Sequence, residues 1–499
     1  MRSTFCCGVV MTMVLAGVVS AQQPAPAPPP QAPGGTPPAP PEKPVEKQEP
    51  VRQGRAGRVS RREPRQPAAP MGGSITDARL ERQGGPLRRT LSLNSTLLGG
   101  YDDNLVGGTG PGGGAPQLPD AMPSGSVGTF DSTLAWYQGN NRHSIQLDGT
   151  GRAFAYPQYL DGVVPGATAN VAVTTTMGLR TKLNASQAGG YDPFFNTFAP
   201  DSAGVPLPPS VDQAVSAAGL FERRSWVSTS QVGLTQQWTR RMSMTATYAY
   251  GLRDFTDGSD GDNRSHTASA GYRHVLSDSL RLRGDYRYTD IETTEFDGMV
   301  RPNTTERIEG GFDGEHEVSR TSLVSWTLTA GVGRVESTSG VERVPFTDSM
   351  PVGTASLKVP LSSTWYLEGG YQRDFRLLQT VTSELYAADT ATLTLGGLIG
   401  RRTTLQLIGS YGDWQPPVAS GVTSTLEVLG ASLQLQHMLT DVLGVVCNYS
   451  YYNHRYTNSG ELPDGFPPRY DRNSVRIGVT VRLPIAGDRQ LSSVGRQVQ

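Results

Sequence analysis

The residue types able to do chemistry are few and badly placed for catalysis. Six histidines, at 143, 266, 274, 316, 437 and 454, lack the spacing of a metal-ligand set. His316 beside Glu315 is the nearest approach to an acid–base pair. Its place at a strand end by a tight turn makes it a solvated side chain. The acidic run Asp257 to Asn263 offers oxygen ligands for Ca²⁺, but it lacks the spacing of a calcium loop and a closing Glu. It reads as a hairpin connection. Tyr101-Asp102-Asp103-Asn104 reads as a turn opener first and an ion or ligand site second. No nucleophile elbow, phosphate-binding glycine loop or His-Glu-x-x-His helix is present. The sequence points away from an enzyme, a cofactor or a metal site.

What remains is charge arranged on one side of alternating segments. Arg281, Arg283, Asp285 and Arg287 alternate with Leu280, Leu282, Gly284, Tyr286 and Tyr288. Val475, Ile477, Val479, Val481 and Leu483 alternate with Ser474, Arg476, Gly478, Thr480 and Arg482. That is the period of a strand, whereas a helix would scatter these arginines around its surface. Such strands need a greasy solvent on one face and water on the other. Arginine facing lipid at a bilayer midplane costs about 2–4 kcal/mol, so the charged face turns inward. Arg152, Asp148, Arg281, Arg283, Asp285, Arg287, Arg307, Glu309, Asp313, Glu368, Arg476 and Arg482 are thereby expected to line a lumen. Tyr101, Tyr248, Tyr250, Tyr286, Tyr288, Tyr371, Tyr411, Tyr449 and Tyr451 recur near strand ends and are expected to form an interfacial girdle. Trp414, Tyr156 and Phe194 are read with them, and only Tyr366 and Tyr452 are expected to point inward.

The elements that must position these residues are set by the connections. Short polar turns near 138–141, 180–182, 239–241, 276–279, 319–321, 361–364, 400–403 and 440–441 alternate with longer Gly/Pro/Asp-rich loops. The longest, 196–222, holds the Ala- and Val-containing segment Val211 to Gly219, and the sequence leaves open whether it folds inward. Eight short turns and nine long loops make eighteen strands (sixteen to eighteen, allowing for the weaker segments). This is the layout of an all-β, antiparallel, up-and-down barrel in a bacterial outer membrane. No stretch of the chain is long and apolar enough to be a transmembrane helix.

Composition agrees. Hydrophobic residues make up 36% of the 499, with 59 glycines, 19 tyrosines and 13 phenylalanines, as a wall that is apolar on one face requires. The net charge of −1 disfavours nucleic acid as a partner. Residues 1–21 read as a secretory signal peptide, with Arg2, an apolar run and a Val19-Ser20-Ala21 cleavage site. Residues 22–87 are Pro/Ala- and then Arg-rich and are expected to be a disordered periplasmic arm. Its arginines at 52, 55, 58, 61, 62 and 65 suit peptidoglycan, anionic headgroups or a periplasmic protein, or serve only as a solvated tether. The barrel is assigned to 88–484 and a polar tail to 485–499. Cys447, the one cysteine outside the leader, reads as a small apolar residue.

The first strand and its exit, Leu91-Ser-Leu-Asn-Ser-Thr-Leu-Leu-Gly-Gly-Tyr-Asp-Asp-Asn104, resemble the opening of the β-barrel porin-2 type of outer-membrane protein. The resemblance covers about 88–484 by architecture, with this motif as its specific part. It implies a pore-like protein with outer-membrane lipid and the barrel-assembly machinery as partners, linked in some members to exopolysaccharide export or assembly. Two features depart from the pattern: the last strand ends in Leu483-Pro484-Ile485 rather than Phe or Trp, and the proline-rich arm is additional. The functional expectation is porin-like passage of small solutes or ions. The alternative is a component of exopolysaccharide export.

Overall fold

In the computed structural model the described residues are 88–103, 124–140, 142–157, 162–195, 221–256, 262–294, 299–319, 322–339, 344–378, 384–420, 425–457 and 469–486. The leader, the Arg-rich arm, nearly all of the 196–222 connection and the tail beyond 486 lie outside them. The strands, in chain order, are β1 (Arg88–Asp102), β2 (Gly125–Gly139), β3 (His143–Ala155), β4 (Val163–Met177), β5 (Thr181–Phe195) and β6 (Phe221–Gln237). There follow β7 (Met242–Phe255), β8 (Asn263–Val275), β9 (Leu280–Thr294), β10 (Val300–Ser319), β11 (Ser322–Ser339) and β12 (Val344–Pro360). The last six are β13 (Trp365–Leu378), β14 (Glu384–Ile399), β15 (Thr403–Gln415), β16 (Leu426–Met438), β17 (Leu443–Tyr456) and β18 (Arg469–Ala486). Each pairs antiparallel with its chain neighbours, and β18 pairs with β1, so the eighteen-stranded sheet closes on itself. Closure removes the edges that an open sheet would expose to lipid. Strand β18 runs to Ala486, so Ile485 and Ala486 belong to the wall rather than to the tail.

Local chemistry makes the short turns. At the β2–β3 turn Asn140 Oδ1 accepts from the backbone N–H groups of Arg142 and His143, both at 2.8 Å. The hydroxyls of Thr239, Ser362 and Thr440 do the same for the two N–H groups that follow them by two and three residues. These side chains replace backbone partners that a tight turn cannot supply. The β4–β5 and β14–β15 turns instead use Gly178 (φ +68°) and Gly400 (φ +69°), a left-handed conformation in which a Cβ is strained.

Register then sorts the faces. Leu97, Phe130, Leu134, Val171, Val232, Leu328, Val332, Leu433, Ile477 and Val479 are outward and between 37% and 57% exposed. A continuous apolar belt of this kind does not face water in a soluble monomer. The belt has two aromatic borders. Tyr101, Tyr248, Tyr250, Tyr286, Tyr288, Tyr371, Tyr411, Tyr449 and Tyr451 all occupy outward ranks toward the long connections. Trp136, Trp238, Trp326 and Trp365 sit outward near the short turns, a second border that the sequence reading did not single out.

Glycine allows neighbouring backbones to approach closely at two places in the wall. A Cβ at Gly478 would lie 1.8 Å from the Leu97 carbonyl oxygen, and one at Gly331 would lie 1.8 Å from that of Ile308. Both glycines face inward, one at the β18–β1 seam and one at β10–β11, where neighbouring backbones close up.

Candidate functional site

The inward face is polar, and its charges gather in two clusters on opposite walls. Ring arithmetic places them: β10 follows β1 by nine strands in a ring of eighteen. On the β9–β11 wall, Arg281 pairs with Glu315 at 3.1 Å. Arg283 bridges Asp285 at 2.7 Å and Asp313 at 3.4 Å. Arg307 contacts Glu309 at 3.2 Å and also binds Asp374 of β13. Thr327 and Thr329 of β11 donate to Asp313 and Glu309. Arg287 stands beside Arg307 in register and forms no ion pair with the described residues.

On the β18–β1–β2–β3 wall, Arg152 pairs with Asp131 at 3.4 Å, and Asp102 accepts from Arg472 at 2.7 Å with Arg476 at 3.5 Å. Gln146 donates to Asp148 at 2.6 Å. Arg482 forms no ion pair with the described residues. Between the two walls, Glu368 pairs with Lys358 at 3.0 Å. Thus all twelve charged residues named from the sequence sit at ranks opposite the exposed apolar set. Most are neutralised in pairs rather than presented as rings of one sign, which favours a wetted wall of weak overall charge preference.

Asp102 has a role the sequence did not reveal. It is completely buried, as is Arg472 at 2% exposure, and the pair joins the first strand to the last. Its neighbour Asp103 points the other way and reinforces the same seam. Asp103 accepts from the Asn473 backbone N–H at 2.6 Å and from the Asn473 side-chain amide at 2.7 Å. Tyr156, just beyond β3, also meets the Arg472 guanidinium, and burial pushes its phenol above the ordinary tyrosine range. The Tyr101-Asp102-Asp103 motif is therefore a barrel-closing clamp rather than an ion site. Asp262, from the acidic run 257–263, caps the backbone of Phe255 at 2.9 Å in the same structural spirit.

The inward aromatic set is larger than Tyr366 and Tyr452. Tyr386, Trp414, Tyr456 and Tyr470 also point inward and are buried. The reason is parity: Trp414 lies three residues from Tyr411, and an odd separation in a strand puts two side chains on opposite faces. Tyr452, His454, Tyr456 and Tyr470 pack ring on ring at 5.4–6.0 Å. They are a packed layer near the long-connection end, not an open stacking track.

A second feature narrows that end. The β12–β13 ladder stops at Gly353–Arg373, although β13 and β14 stay paired out to Leu378 and Glu384. By alternation with Tyr371 and Arg373, Phe375 belongs on the exterior, as does Leu385 by alternation with Ala387 and Asp389. Instead both pack against Ile291, Val335 and Phe346, inward residues of β9, β11 and β12. Measured along the wall, β13 lies three strand spacings from β10, about 14 Å, and β14 lies five from β9, about 24 Å. The Arg307–Asp374 ion pair and the Ile291–Val335–Leu385 cluster therefore require the outer part of the β13–β14 hairpin to lie inside the barrel.

No family model matches the chain, and no curated protein matches it. Among solved structures, Acinetobacter baumannii OccAB3 aligns over 80% of this chain and 99% of its own, at 9% identity and a TM-score of 0.43. Pseudomonas aeruginosa OpdQ aligns over 80% and 98%, at 11% identity and 0.41. The ferric-catecholate import receptor Fiu of E. coli aligns over 79% and 81%, at 9% identity and 0.40. At these values the likenesses add nothing to what the strands of this chain already show.

Proposed function

We propose that the chain is a bacterial outer-membrane pore for small solutes or ions. The observation that carries this reading is the opposition of faces in a closed eighteen-stranded ring. Its outside is apolar between Tyr and Trp borders, and its inside is lined by paired charges and hydroxyls. An eight-stranded barrel fills its interior with side chains, whereas sixteen to eighteen strands leave room for water. A hydrated wall of mixed charge passes small polar species with little preference for sign.

The mature chain beginning at residue 22, refolded in detergent and added to planar bilayers, is expected to give discrete single-channel steps. Permanently silent bilayers, with the protein demonstrably inserted, would rule the pore out. Removing the periplasmic arm, residues 22–87, is expected to leave those steps unchanged. A variant lacking the arm that conducts normally yet abolishes polysaccharide secretion in cells would favour the export reading instead.

A further inference from the structure

The mouth that carries the short turns is lopsided in charge. Along one arc, from β1 to β7, Arg89, Arg142, Arg180, Arg240 and Arg241 are exposed. No acidic residue occurs in 88–92, 136–146, 174–184 or 235–245, the stretches that make this part of the rim. The described turns elsewhere differ: Ser277-Asp278-Ser279 and Thr440-Asp441 each carry an acid, and Ser362-Ser363-Thr364 is uncharged. Arg401 and Arg402 form the one other basic turn among the described residues, and an uncharged and an acidic turn flank it. We propose that the β1–β7 arc binds the phosphate headgroups of anionic phospholipids in the leaflet that meets the short turns. This rests on the membrane placement within the pore reading above, not on conduction.

Backbone pairing fixes these cations in a row. The carbonyls of Arg142, Arg180 and Arg241 accept from the N–H groups of Thr176, Gln237 and Val275 on the next strand, at 2.6–2.8 Å. Successive short turns stand two strand spacings apart, about 10 Å, so the arc presents a cationic group at each step. Arg180 also donates through Nη1 to the Trp238 carbonyl at 3.2 Å, which lays its side chain across to the turn that holds Arg240 and Arg241. Like charges gathered in this way favour an anionic neighbour, and a second copy of the same arc would repel them. Position then selects lipid over a polymer held in water. Arg240 follows the outward Trp238 by two residues, and Arg180 follows Met177, 53% exposed, and Leu179, 94% exposed. Apolar groups beside guanidiniums suit the depth where acyl chains end and phosphates begin, with the arginine stem against the chains and its fork on a phosphate. A wall polymer would meet the charge alone and leave Leu179 in water. Several arginines acting within a Debye length favour anionic over zwitterionic lipid.

Two single-tryptophan forms of the mature chain test this, one keeping Trp238 in the arc and one keeping Trp365 beside the uncharged 362–364 turn. The remaining tryptophans of the six become Phe, and insertion is checked by the mobility of folded barrel in unheated gels. Phosphatidylethanolamine vesicles carry either brominated phosphatidylglycerol or brominated phosphatidylethanolamine, and quenching gives the relative affinity of the two lipids at each reporter. Trp238 is expected to report a preference of about fivefold for the anionic lipid, the effect of one arginine near the surface, and Trp365 none. The preference at Trp238 should vanish in the Arg142→Gln/Arg240→Gln/Arg241→Gln variant and, with the arginines intact, at high salt. The salt measurement decides the matter should the triple variant fail to insert. Equal values at the two reporters, or a preference that survives both salt and substitution, overturn the proposal. Binding to insoluble peptidoglycan that is lost in the triple variant, without any lipid preference, overturns it in favour of the cell wall. Silent bilayers with the preference intact would remove the pore reading alone.

Discussion

Asp102→Ala is expected to lower barrel stability by about 3–5 kcal/mol, the typical cost of stripping one partner from a buried ion pair. Arg472 would be left 2% exposed without its closest carboxylate, and Arg476 would lose its 3.5 Å contact as well. The damage falls on the β1–β18 seam, the last pairing needed for closure, so assembly should suffer along with equilibrium stability. The measurement is urea unfolding followed by the mobility shift of folded barrel in unheated gels, together with the fraction of refolded protein. Removing both charges, as Asp102→Ala with Arg472→Met, should cost less than Asp102→Ala alone, because no uncompensated cation is then buried. A double variant whose loss equals the sum of the two single losses would show that the pair is not coupled and that closure rests on the backbone ladder.

Adjacent residues of β6 provide the second large contrast. Val232 is outward, 51% exposed, and sits midway between the outward Trp226 and Trp238. Val232→Arg is expected to cost about 2–4 kcal/mol in a bilayer, the penalty for a guanidinium at the midplane. Its neighbour Gln231 faces the other way and is exposed inside the barrel. Gln231→Arg should leave stability nearly unchanged and shift the pore's ion preference toward anions. Lipid-vesicle unfolding and reversal potentials in a salt gradient read the two effects separately. Similar stability losses at both positions would mean that the assignment of faces is wrong. In a soluble fold a position that is 51% exposed would accept arginine at little cost.

Much of this architecture was legible in the residue order because its determinants are local. A strand shows its two faces every second residue, so the ranks of Arg281, Arg283 and Arg287 against Leu280 and Leu282 already separate lumen from lipid. The short turns carry their own chemistry in Asn140, Thr239, Ser362, Thr440, Gly178 and Gly400. Alternation of tight and long connections then counts the strands. Parity also shows where the reading went astray: grouping Trp414 with Tyr411 ignored their odd separation, and the structure turns them to opposite faces.

Other features needed the closed ring. Asp102 and Arg472 are 370 residues apart, and nothing near either one announces its partner; only the pairing of β1 with β18 brings them within 2.7 Å. The same holds for Arg307 with Asp374 and for Ile291 with Leu385, whose own strands would keep them apart along the wall. Periodicity reports which way a side chain points relative to its own strand, and that is enough for a regular wall. It carries no record of a hairpin leaving the wall, because that choice depends on the free energy of contacts between distant segments, which exist only once the barrel has closed.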